Sequence, residues 1–129
     1  KAYNPVLAAC TRNAKDALEV LIKNGASLDV KSKDGITPLI FAAANNAVDV
    51  MKYLLAVNPK LDIDASSNST YNALLYAASS GSKEAVEFLL SKGADIGYED
   101  KNGKTALMIA MSKSKKDVVE ILKKNGAKK

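Results

Sequence analysis

The sequence predicts an all-α solenoid of stacked helix-turn-helix pairs with hairpin-like fingers. Three observations carry this reading: the chain repeats itself with a period of 33 to 35 residues, a helix-capping residue opens each period, and a second apolar landmark follows the first by 17 residues each time. A period of this length marks a stack of small units, each unable to bury its apolar face alone.

The first landmark reads Asn4-Pro5-Val6-Leu7-Ala8-Ala9, Thr37-Pro38-Leu39-Ile40-Phe41-Ala42-Ala43, Asn72-Ala73-Leu74-Leu75-Tyr76-Ala77-Ala78 and Thr105-Ala106-Leu107-Met108-Ile109-Ala110, at spacings of 33, 35 and 33 residues. Asn or Thr at its head can accept a backbone N–H, and Pro5 and Pro38 then fall at the first helical position, where the missing N–H costs nothing. A first helix therefore starts in every unit. Polar breaks at Arg12-Asn13, Asn45-Asn46, Ser80-Gly81 and Ser112-Lys113-Ser114 separate it from a second, amphipathic helix, whose landmark is Leu21-Ile22, Leu54-Leu55, Leu89-Leu90 and Leu122-Lys123. Gly25, Asn58, Gly93 and Gly126 are expected to end the second helices, being residue types that enter the left-handed region most easily. The polar segments Asp29 to Gly35 and Glu99 to Gly103 carry the turn signals Lys33-Asp34-Gly35 and Lys101-Asn102-Gly103 and should project as fingers. The two extra residues of the 35-residue spacing are expected in the third finger, within Asp62 to Tyr71, and the densest packing at Leu21, Leu54, Leu55, Leu89 and Leu122. One domain is expected over residues 1–129, with repeats at about 1–32, 33–65, 66–99 and 100–129.

Composition narrows the chemistry. Histidine is absent, so a histidine-built zinc site, or a Ser-His or Cys-His nucleophile, cannot be assembled within the chain. The single cysteine, Cys10, can form no intrachain disulfide, and its place in the small-residue pair equivalent to Ala43 and Ala78 predicts an inert buried thiol. Asp62-Ile63-Asp64-Ala65-Ser66 begins like a calcium loop, but Ser67 and Ala73 stand where glycine and glutamate are needed. Asn68-Ser69-Thr70 is a formal glycosylation sequon, read here as a polar finger. No enzymatic activity, metal or cofactor is expected. No apolar run reaches the roughly 20 residues of a membrane helix. With no targeting segment in the chain, a cytoplasmic location is the default expectation.

The net charge of +5 is unevenly placed: residues 1–100 hold ten Lys/Arg and twelve Asp/Glu, residues 101–129 nine Lys and two acids. Eighteen of the basic residues are lysines and one is Arg12, a poor composition for reading bases or clamping phosphates.

The runs Asp34-Gly35-Ile36-Thr37-Pro38-Leu39, then Ala42-Ala43 and Leu54-Leu55, and Lys92-Gly93-Ala94-Asp95 followed by Asn102-Gly103-Lys104-Thr105-Ala106-Leu107, resemble the ankyrin repeat family over essentially the whole chain. The resemblance implies an ankyrin-repeat solenoid whose fingers and first helices line a concave face that holds a partner protein. The family's histidine after Thr-Pro-Leu is replaced by Leu7, Ile40, Leu75 and Met108, and Pro by Ala73 and Ala106, so a finger-bracing hydrogen bond expected in the family is absent. Lys123, at a position apolar in the other units, reads as a C-terminal cap, with Lys116, Lys124, Lys128 and Lys129 in agreement. At the other end Tyr3 and Val6 give no such polar signal.

Carried onto this chain position by position, the family's contact residues are Arg12 in the first unit, Lys33, Asp34, Ile36, Ala44 and Asn45 in the second, Tyr71, Ser79 and Ser80 in the third, and Lys101, Asn102, Lys104 and Lys113 in the fourth. The resulting expectation is a monomeric protein-interaction scaffold with a protein partner. Two alternatives stand beside it: electrostatic binding of nucleic acid or anionic membrane by the C-terminal lysines, and a regulatory segment of a larger enzyme.

Overall fold

The computed structural model describes residues 4–127, so Tyr3, Lys128 and Lys129 lie outside the described residues. Those residues form eight helices in four antiparallel pairs: α1 (Pro5–Thr11) with α2 (Lys15–Lys23), α3 (Pro38–Ala44) with α4 (Val48–Val57), α5 (Ala73–Ser80) with α6 (Lys83–Ser91), and α7 (Ala106–Ser112) with α8 (Lys116–Lys124). The odd helices pack in one row and the even helices in another, each against its neighbour along the stack. One isolated bridge, Ser66 with Asn72, is the extended pairing among the described residues.

The capping residues act as the sequence predicts. Asn4 accepts from the N–H groups of Val6 and Leu7, Thr37 from Ile40, Asn72 from Leu75 and Thr105 from Met108. Asn72 is fully buried and its Nδ2 finds no acceptor among the described residues. A buried donor left unpaired costs about 1–3 kcal/mol, and a threonine hydroxyl would keep the cap without it. Asn72→Thr is therefore expected to stabilise the fold by about 1 kcal/mol in urea titrations. A loss of stability would show that the amide does more than cap.

Between the helices of each pair the chain turns through a left-handed residue: Asn13, Asn46, Gly81 and Ser114. Asn13 and Asn46 also join units, because Asn13 Oδ1 accepts from Val50 N–H (3.2 Å) and Asn46 Oδ1 from Ala85 N–H (2.9 Å), each in the first turn of the next unit's second helix. Those helices have no side-chain cap of their own.

Several expectations need correction. Gly25, Gly93 and Gly126 leave their helices at positive φ, but Asn58 sits at φ −132° and ψ 84°, since Pro59 clashes with a helical or turned residue before it. The two extra residues are not in the third finger. Leu61 to Asn72 spans the same distance along the chain as Ala26 to Thr37 and Ala94 to Thr105, so the insertion lies at the end of α4, in the Asn58-Pro59 turn. Leu54, Leu89 and Leu122 are buried as expected, whereas Leu21 and Leu55 are only half-buried. Leu21 faces the first end of the stack, where no earlier unit stands among the described residues. Leu55 belongs to the row of Ile22 and Leu90, which brush the following unit and stay half-buried. Leu18, Met51 and Val86 fill the core between the second helices instead.

The fingers are braced without histidine. In each, one hairpin bond closes the turn: Ser32 N–H to Ile36 O, Ser67 N–H to Tyr71 O, and Asp100 N–H to Lys104 O, at 2.8–3.0 Å. Ser32 Oγ accepts from the N–H groups of Asp34 and Ile36, and the buried Asp100 carboxylate from those of Asn102 and Lys104. In the third finger Ser67 Oγ instead meets Tyr76 Oη (3.3 Å) and Ser69 Oγ (3.0 Å). The polar residue at one register position does locally what the family's histidine does from the helix.

Lys123, expected from the sequence to be a C-terminal cap, is exposed. Met108 and Met111 are 38% and 54% exposed on the same end.

Candidate partner-binding face

Finger tips and first helices form one edge of the stack, and the repeat register sorts their side chains into rows. Lys33, Asn68 and Lys101 make the tip row; Asp34, Ser69 and Asn102 follow it; Ile36, Tyr71 and Lys104 lie at the base of the fingers; Ala44 and Ser79 near the ends of α3 and α5; and Arg12, Asn45, Ser80 and Lys113 at the exits of the first helices. Ile36, Tyr71, Ala44 and Ser79 are half-buried, and Arg12, Lys33, Asp34, Asn45, Ser80, Lys101, Asn102, Lys104 and Lys113 are exposed. The structure thus brings the four units' predicted residues onto one continuous edge, except that Arg12 also lines a cleft at the first end of the stack, with Pro5, Ala8, Val20 and Leu21.

Neighbouring fingers are tied together. Asn68 N–H donates to Asp34 O (2.9 Å) and Asn68 Nδ2 to Lys33 O (3.1 Å). On the other side Lys101 N–H donates to Thr70 Oγ1 (2.8 Å) and Tyr98 Oη to Thr70 O (2.7 Å). Thr70 occupies the position of Gly35 and Gly103 and, like them, has positive φ, 68°. A β-branched residue there is strained, and the bonds to the fourth finger hold it in place. The sequon asparagine is thereby a link between fingers.

Tyr71 packs edge-on against Tyr76, ring centroids 5.3 Å apart. Its phenol is pushed above its ordinary pKa by partial burial, then by the Asp100 charge and by Tyr76. Its hydroxyl makes no hydrogen bond among the described residues. The one ion pair among those residues joins Lys15 to Glu19 (3.8 Å) on α2, so Arg12, Lys33, Lys101, Lys104 and Lys113 face outward without an acidic partner. Asn68, Ser69 and Tyr76 escaped the sequence reading of this face. Counting from Lys33 and Asp34 by the 35-residue offset would have found Asn68 and Ser69, whereas Tyr76 shares its register with Phe41 and Ile109, outside the predicted positions.

Other candidates resolve into structure. Cys10 is completely buried and desolvation pushes its thiol up to about 12. Asp62 Oδ1 accepts from Asp64 N–H (3.0 Å) within its own turn, and Asp64 Oδ1 accepts from Asp95 N–H (3.1 Å) of the next unit, so both carboxylates are engaged by backbone groups. A cleft of about 480 Å³, lined by Leu28, Val30, Leu39, Leu54 and Leu61, opens below the second finger beside the Asn58-Pro59 turn. Among the described residues no helix is long and apolar enough to cross a membrane.

Stacked helix pairs, capped first helices and hairpin fingers in register define a helical-repeat module. A family model described as ankyrin repeats (3 copies) matches residues 5–100 and again 60–129. The chain belongs to the ankyrin repeat family, whose domains are generally protein-protein interaction modules and typically non-catalytic. The comparison with curated proteins gives no match.

Proposed function

We propose that residues 1–129 act as one interaction domain, a monomeric, non-catalytic scaffold that holds a partner protein across its finger tips and first helices. The observation that supports this most is the contrast between rows. Packing rows repeat, as in Leu7, Ile40 and Leu75 or Cys10, Ala43 and Ala78, all buried, while the exposed rows change character from unit to unit. Binding surfaces need such variation and cores do not. A protein fits better than a nucleic acid, because the face carries one arginine and its aromatic pair is packed ring to ring rather than free to stack on bases.

Tyr71 is the anchor of the proposed contact: a half-buried ring with a free hydroxyl gives large area with few torsions to freeze. With a partner isolated by affinity capture, Tyr71→Ala is expected to weaken binding by about 1 kcal/mol or more, and Lys83→Ala or Glu87→Ala, on the exposed side of α6, to change it little. Because the ring also packs on Tyr76, Tyr71→Phe separates the roles: it keeps the packing and removes only the hydroxyl. Equal losses from both faces would place the partner elsewhere.

A further inference from the structure

Charge is divided unevenly between the two faces of the stack. The second helices α2, α4, α6 and α8 carry seven lysines and seven aspartates or glutamates, so they are neutral as a set. The first helices α1, α3, α5 and α7 carry no charged residue. Charge on the finger and first-helix face therefore lies at its borders, and there it has nearly one sign. Lys33 and Lys101 stand in the tip row, Lys104 at a finger base, and Arg12 and Lys113 in the row of helix exits, against the single acid Asp34. That exit row is exposed in all four units, in the middle of the stack as at its ends. One row down the stems, Lys31 and Glu99 offset each other, and Asp100 is buried with its carboxylate held by backbone N–H groups. Asp29, Asp62, Asp64 and Asp95 lie at the other end of the stems, where the second helices hand over to them. Between the charged borders the centre is apolar. Ile36 and Tyr71 at the finger bases, with Phe41 and Tyr76 at equivalent positions of α3 and α5, are all half-buried. These four belong to the two middle units, so their exposure does not depend on where the stack begins or ends.

We propose that the partner segment held on this face is acidic, with apolar side chains set among its carboxylates. The inference rests on the reading of the face as the partner surface and adds the partner's chemistry. The segment's apolar side chains cover Ile36, Phe41, Tyr71 and Tyr76, and its carboxylates meet the lysines of the borders. Opposite charges steer the encounter and fix the register, while like charges turn basic segments away. The backbone that carries the tip lysines is set before a ligand arrives, because Asn68 Nδ2 donates to Lys33 O and Lys101 N–H to Thr70 Oγ1. Binding then spends little on ordering the fingers. A nucleic acid fits less well, since it would leave the apolar centre uncovered and find a tyrosine pair already packed edge to face.

The test titrates isotopically labelled protein, followed by amide NMR shifts, with a short synthetic peptide of glutamates interrupted by leucines. Control probes are the same peptide with lysine for glutamate, the same with glutamine for glutamate, an oligouridylate, and vesicles containing phosphatidylserine. With the glutamate peptide, shifts are expected in α3, α5 and the fingers beside them, and the affinity should fall as salt is added. The glutamine peptide is expected to bind about tenfold or more weakly, and the lysine peptide more weakly still. Lys33→Glu combined with Lys101→Glu is expected to lower affinity for the glutamate peptide by about tenfold or more. Lys52→Glu combined with Lys83→Glu changes the net charge equally on the second helices and is expected to matter little. All four lysines are exposed, and unchanged thermal melts confirm the fold. Equal binding of the lysine peptide, tighter binding of the oligouridylate or the vesicles, or an equal loss from the second-helix pair would each overturn the proposal. If the glutamate peptide fails to bind while Tyr71→Ala still weakens a captured partner, the acidic partner falls and the face stands. Shifts gathered on α2, α4 and α6 would remove both.

Discussion

Leu89→Ala is expected to cost about 3 kcal/mol of folding stability, and Leu21→Ala about half as much, although the two leucines hold the same place in their repeats. Leu89 is fully buried, on the side of α6 that meets the preceding unit. Truncating it loses the transfer energy of the removed carbons and leaves a cavity that rigid helices on both sides cannot close. Leu21 occupies the equivalent side of α2, where no described unit precedes it, so it starts half-exposed and leaves little cavity behind. A stack held by nearest-neighbour contacts transmits the two losses differently. Damage in the middle weakens the junction on which both halves depend, whereas damage at the end frays one helix pair. Urea unfolding followed by circular dichroism should give a clearly lower midpoint for Leu89→Ala and a small shift for Leu21→Ala. Equal shifts would mean that Leu21 is covered in solution, contrary to the structure.

This pair also shows where the sequence stops being informative. Period, caps and the Leu-Leu landmark locate every helix, because each of those signals depends on bonds within a few residues. The depth of a leucine depends on what stands beside its unit, and identical motifs conceal that difference between ends and middle. The Asn58-Pro59 turn illustrates a second limit. Only alignment of Leu61 with Ala26 and Ala94, fixed in space by the stack, moves the insertion from finger to helix end. On the candidate face, the one-by-one transfer of contact positions picks out nine exposed residues and four half-buried ones, but the bonds that knit the fingers through Asn68 and Thr70 involve partners 28 to 35 residues away. No local motif announces them. Met108 and Met111 match the apolar pattern, and their exposure reflects only that no further unit stands beyond α8 among the described residues.

Asn46→Gly is expected to destabilise the fold by about 1–2 kcal/mol, although the side chain is exposed and touches no core. Its Oδ1 caps the first turn of α6 through Ala85 N–H, where the N-cap residue Ser82 makes no side-chain cap of its own, and its Nδ2 donates to Glu84 Oε1 (2.9 Å). Glycine keeps the left-handed backbone at φ 56° without strain, so the loss isolates the side chain and the added freedom of the unfolded chain. Alanine would add strain to the same loss. Asn46 also leaves a titration signature, since its hydrogen bond, more than the Glu84 backbone N–H or the Lys83 charge, lowers the Glu84 pKa from its ordinary 4.5. A lowered folded pKa adds stability above the unfolded value and forfeits it as pH falls through the folded one. The gap between parent and Asn46→Gly should therefore narrow in acid, and NMR titration should find the Glu84 pKa risen toward 4.5 in the variant. The third unit offers the converse. Gly81 holds the register of Asn46 with φ 75°, and an added Cβ would meet the flexible Lys115 stem at 3.0 Å, a contact that can move aside. Gly81→Asn should reach the first turn of α8, which has no side-chain cap, and gain up to about 1 kcal/mol. Were Asn46→Gly neutral and Gly81→Asn harmful, the asparagine bridge between neighbouring units would carry no share of the stability.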